Sequence, residues 1–162
     1  MSGSTFSEDR VSFGDIPPTI NAYLQDAVAA YADTDAAEKL LWAAQSAAPE
    51  QRAVYFALYK FYFYKYRLVD AERVVLMALE VSARQGEFSA EWETLTPLST
   101  QWGKTDTPQH FFLFSLKALA FTRLRLGNIH GSHAILNKLR ELDPSDQVGS
   151  SVILDLASSF TA

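Results

Sequence analysis

Apolar residues along this chain recur at steps of three and four rather than two, as they do on one face of a helix. Leu, Ala, Glu, Lys and Gln dominate the long segments, and they are good helix formers. Punctuation divides the pattern. Pro17-Pro18, Asp33-Thr34, Pro49, Thr107-Pro108 and Asp143-Pro144 each mark a helix start, and Gly127-Asn128 marks a turn between two helices. The stretch SAEWETLTPLSTQW predicts a short helix capped by Ser89 and then a loop. SDQVGSSVILDLASSF predicts a last helix whose Val148, Val152, Leu156 and Phe160 cover the end of the structure.

The pattern also repeats. A shift of 34 residues superposes Leu24 on Leu58, Ala37 on Ala71, Leu41 on Val75 and Ala44 on Ala78. A further shift of 61 brings Leu119, Ser132, Leu136 and Leu139 to the same places, so the third copy follows an insertion of 27 residues. The expected organisation is a polar N-terminal arm over 1–14 and one helical domain over 15–162. Its copies lie at about 18–51, 52–85 and 113–146, with an insertion at about 86–112 and a cap at about 147–161. The small residues at fixed places let two helix backbones approach closely.

Leu24, Ala37, Ala44 and Pro49 in the first copy, Leu58, Tyr62, Ala71 and Ala78 in the second, and Leu119, Ala120, Gly127, Ser132 and Pro144 in the third resemble the tetratricopeptide repeat. That resemblance implies an all-α fold of stacked antiparallel helix hairpins in a right-handed array, closed by a C-terminal capping helix. Tyr59, Arg123 and Leu139 depart from the pattern, which otherwise has a small residue, a Tyr and a second Ala there.

Within the second copy, YFALYKFYFYKY carries eight aromatic residues in twelve. Tyr55, Tyr59, Tyr62 and Tyr66 fall on one helical line, expected to pack against a partner helix with hydroxyl tips emerging at a seam. By the resemblance, Phe56, Lys60, Phe63 and Tyr64 occupy the inner, concave surface. Phe114, Lys117, Phe121 and Arg125 take that surface in the third copy, again running Phe, Lys, Phe. The first copy offers only Thr19, Ala22, Asp26 and Ala29 there. Two readings stay open. The eight residues form an open, cation-bearing groove for a partner, or the insertion, with Phe88, Trp92, Trp102 and Phe111, fills the groove and makes them core.

Composition narrows the function. Residues 1–50 hold eight acids against two bases, and the remainder twelve bases against eleven acids, for a net charge of -5. That balance lacks the basic surplus of a nucleic-acid binder. With no cysteine there are no disulfides or thiolate sites, which fits a reducing, cytoplasmic setting. No apolar run is long enough to span a membrane, since Lys60, Lys65 and Arg67 break the nearest one. His130 and His133 lie three apart, with His110 elsewhere, too few ligands for a metal site. No phosphate loop or nucleophile elbow is present, so no catalytic residue and no cofactor is assigned.

ALYKFYFYKYRLVDAERVVLMALE and LKALAFTRLRLGNIHGSHAILNKLRELDPSDQVG resemble small tetratricopeptide-like, nitrogenase-associated factors of nitrogen-fixing bacteria. The resemblance implies a non-catalytic assembly or protection factor whose partner is the molybdenum–iron nitrogenase protein. The alternative is a generic scaffold or secretion-type chaperone that binds a peptide segment. A small enzyme or ligand carrier that uses the aromatic cleft is the third class.

Overall fold

The computed structural model describes residues 15–161, with side chains through Ala157. The expected arm over 1–14 and the side chain of Phe160 lie outside the described residues. Among the described residues the chain forms seven α-helices and no strand: α1 (Pro18–Ala29), α2 (Thr34–Ala47), α3 (Arg52–Tyr64), α4 (Leu68–Gly86), α5 (Pro108–Arg125), α6 (Ile129–Leu142) and α7 (Ser151–Thr161). Consecutive helices pack on each other as hairpins, and α7 lies against α5 and α6.

Local chemistry sets the boundaries. Pro18 opens α1. The Asp33 carboxylate accepts the Ala36 amide at 3.2 Å and starts α2. Thr107 accepts the His110 amide at 3.1 Å just before Pro108, so α5 starts five residues ahead of the boundary expected from the repeat. Asn128 accepts the Gly131 amide at 2.9 Å and starts α6. The predicted short helix after Ser89 is only a three-residue 3-10 turn, Trp92–Thr94, with the Ser89 hydroxyl accepting the Glu91 amide at 3.0 Å.

The small residues sit where the helices cross. Ala37, Ala44, Ala71, Ala78 and Ser132 are fully buried. The Ser132 hydroxyl donates to the Ala120 carbonyl at 2.8 Å, joining α6 to α5. The departures are also accommodated. Tyr59 meets a serine across the α3–α5 seam, with its hydroxyl 3.4 Å from Ser115. Arg123 bonds Glu72 on α4 at 3.2 Å. α5 is the central helix, buried at every position from His110 to Ala120.

Two expectations need correction. Tyr66 is not on the tyrosine line: α3 ends at Tyr64, and Tyr66 sits beyond it at φ +57°, 77% exposed. On α7 the buried residues are Ile153 and Ala157, after Val148, while Val152 and Leu156 are exposed. The turn before α7 sets that register. The Asp143 carboxylate accepts the Gln147 and Val148 amides, and Asp146 accepts the Ser151 amide.

Candidate functional site

α3 and α5 lie side by side with a layer of rings between them. Phe56 meets Phe114 with centroids 5.7 Å apart, and Phe63 meets Phe121 at 5.7 Å, both edge to face. Tyr59 fills the interval, contacting Phe56, Phe63 and Phe111. The Lys60 ammonium is 5.6 Å from the Phe56 ring, Lys117 is 4.8 Å from Phe114, and the Arg125 guanidinium is 5.7 Å from Phe121. The structure therefore gathers Phe56, Lys60, Phe63, Phe114, Lys117, Phe121 and Arg125 into one ladder of rings and cations. Tyr64 lies at its α3 end.

Burial divides the ladder. Phe56, Phe63, Phe114 and Lys117 are buried, Lys60 and Phe121 are half-buried, and Tyr64 and Arg125 are exposed. The reachable rim is thus Lys60, Tyr64, Phe121 and Arg125, toward the C-terminal ends of α3 and α5. Thr19, Ala22, Asp26 and Ala29 of the first copy are exposed.

The insertion is anchored on another side of α5. Its Phe88 and Trp102 rings meet Phe112 at 4.9 and 6.1 Å. Phe112 and Phe114 are two residues apart and so point to opposite sides of the helix. Trp102 donates to the Thr96 carbonyl at 3.0 Å, and Lys138 on α6 donates to the Leu95 carbonyl at 2.7 Å. The second bond ties the loop to α6.

The tyrosine tips end in the seams. Tyr55 donates to the Pro49 carbonyl at 2.6 Å, and Tyr62 donates to the Glu38 carboxylate on α2. Trp42 donates to the Tyr62 oxygen at 2.9 Å, while Arg67 forks onto both Glu38 oxygens at 3.0–3.1 Å and reaches Asp70 at 2.9 Å. The Tyr62 hydroxyl, reinforced by Arg67, holds the Glu38 carboxyl below its ordinary range. Burial, then the Glu38 bond, pushes the Tyr62 phenol up to about 12. Burial also raises the Tyr59 phenol. No site role was expected from the sequence for Glu38, Trp42 and Arg67, which converge on Tyr62 from α2 and from the α3–α4 turn. The only signal was a tyrosine line that needed acceptors.

Among the described residues no three of His, Asp or Glu gather as a metal site, and no helix is long and apolar enough to cross a membrane. His110 is buried on α5, whereas His130 and His133 lie on α6.

One relative aligns with most of the chain. The chain is 29% identical over 128 residues, 78% of its own length and 72% of the relative's, to an uncharacterized 19.8 kDa protein in the nifW 5' region of Azotobacter chroococcum mcd 1. No protein-family model matches the chain. No solved structure matches it.

Proposed function

We propose that the α3–α5 ladder is a docking face for a protein, and that this chain is a non-catalytic, cytoplasmic adaptor that assists assembly or protection in nitrogen fixation. The observation that carries the reading is the pairing of Phe56 with Phe114 and Phe63 with Phe121, with a cation over three of the four rings. Buried rings give a rigid floor. Aromatic and cationic rim residues are effective anchors at protein interfaces. Such a rim suits a segment that offers apolar side chains and carboxylates. The nif-region location of the relative in Azotobacter supports the nitrogen-fixation setting. The partner in this reading is the molybdenum–iron nitrogenase protein.

The test is capture of purified molybdenum–iron protein by the tagged chain. Wild type is compared with a rim variant carrying Lys60→Glu, Phe121→Ala and Arg125→Glu. Binding by wild type and a loss of roughly tenfold or more in the folded variant is expected. Equal capture by both would remove the ladder from the interface. No capture by wild type would remove the molybdenum–iron protein as partner.

A further inference from the structure

Tyr66 is held in a conformation that its side chain disfavours. It follows α3 at φ +57°, in the left-handed region that suits glycine. The same turn occurs after α5. There Gly127 takes the position at φ +90°. The hydrogen bonds match: Arg67 N to Tyr62 O at 2.9 Å and Tyr66 N to Phe63 O at 3.1 Å, against Asn128 N to Arg123 O at 2.8 Å and Gly127 N to Leu124 O at 3.1 Å. A glycine would therefore close the α3–α4 turn with less strain. The strain supports no core contact, because the Tyr66 side chain is 77% exposed. Glu87 takes the same position after α4 at φ +61°, so it is the exposed aromatic ring of Tyr66, rather than the backbone alone, that points to an interface.

The neighbourhood supports that reading. Lys65 crosses from this turn to the α1–α2 turn, donating to the Tyr31 carbonyl at 2.9 Å with its ammonium 3.9 Å from the Tyr31 ring. The two turns thus form one edge. Tyr31 is 40% exposed, and Val28 and Val69, within a turn of helix on either side, are 70% and 64% exposed. The edge is also bipolar. Around the α1–α2 turn, residues 26–38 hold four acids and no base, and around the α3–α4 turn, residues 65–73 hold three bases against two acids. Within the molecule these halves already join through Arg67–Glu38. Asp26, Asp33 and Asp35 remain exposed on the acidic half, and Arg73, 67% exposed and 3.6 Å from Asp70, on the basic half.

We infer that the edge carrying Tyr31 and Tyr66 binds a second copy of this chain in a two-fold dimer. A two-fold contact sets each acidic half against the partner's basic half, so one bipolar patch complements itself. Tyr66 is the central anchor. The contact lies at the helix turns and leaves the ladder's cations for a different partner.

Sedimentation equilibrium from micromolar to near-millimolar protein, at low and high salt, tests this. The wild type is expected to dimerise with concentration and to weaken as salt rises. Tyr66→Gly is expected to weaken the dimer by roughly tenfold or more. Its melting temperature is expected to stay level or rise by a few degrees, because glycine relieves the strain. Arg73→Glu is expected to weaken the dimer as well. A monomer at every concentration, or a dimer unaffected by Tyr66→Gly, would overturn the inference. A monomer whose Tyr66→Gly variant loses binding to another protein would overturn it too, and would give the edge to that protein.

Discussion

Tyr62 shows how one hydroxyl can tie two hairpins together. It donates to Glu38 and accepts from Trp42, so its removal leaves a half-buried indole N–H without its acceptor. Tyr62→Phe should cost about 1–3 kcal/mol in urea unfolding at neutral pH. The pH dependence has a definite sign. Glu38's folded value is depressed, so its contribution is complete above the ordinary carboxylate value of about 4. It is lost as pH falls through the folded value. Tyr62's folded value is raised, so its contribution is complete below about 10 and is lost as pH rises through about 12. The variant should flatten the acid-side loss, and an unchanged acid limb would place the pH dependence elsewhere. Along the ladder, exposure separates floor from rim. Phe114→Ala should cost about 3–5 kcal/mol, and Phe121→Ala clearly less, because Phe114 is fully buried and Phe121 only half. Equal losses in the two denaturation curves would contradict that division.

At the scale of the elements, crossing distance is set by the smallest side chains. Ala71 is fully buried on α4, and Ala71→Leu should overpack its crossing by about 1–3 kcal/mol, read as a lower urea midpoint. The sequence signalled this place because a 34-residue shift kept it small in two copies. It also signalled the helix starts at Pro18 and Thr107-Pro108 and the turn at Gly127-Asn128, because caps and turns are local chemistry. Asp143-Pro144, expected to open a helix, instead leads into a turn, and α7 starts only at Ser151. It misplaced the buried face of α7. Val152 and Leu156 satisfy a helical spacing, and so do Ile153 and Ala157. The choice between them came from Asp143 and Asp146, which fix the angle at which α7 leaves the preceding turn. The tyrosine line failed at its last member for a similar reason. Periodicity continues through Tyr66, but the helix ends at Tyr64, where the chain must turn to lay α4 on α3.

Across the whole molecule, the insertion is a long connection held by few groups. Trp102 contributes its ring contacts with Phe88 and Phe112 and its bond to Thr96. Trp102→Ala should release the loop while the helical stack remains. Limited proteolysis should then cut within residues 94–104 much faster, with the helical circular dichroism retained below the melt. A loop that stays resistant would mean that Leu95 and Lys138 suffice as anchors. The aromatic run in α3 is likewise explained at this scale. Tyr55, Tyr59 and Tyr62 bond into the α2–α3 turn, the α5 seam and the α2 seam, while Phe56 and Phe63 pair with Phe114 and Phe121 of α5.

By itself the sequence determined the all-α class, the helix pairs, the small residues at their crossings and the Phe–Lys–Phe order on two helices. Each rests on periodicity, capping or side-chain size, which act over a few residues or repeat at a fixed interval. The tertiary structure decided which rings meet, how deeply the ladder is buried, where the insertion lies and how Glu38, Trp42, Tyr62 and Arg67 converge. Those depend on helices distant in sequence. Rotating a helix by one position changes which face is buried without altering its pattern, so only packing against its neighbours could choose.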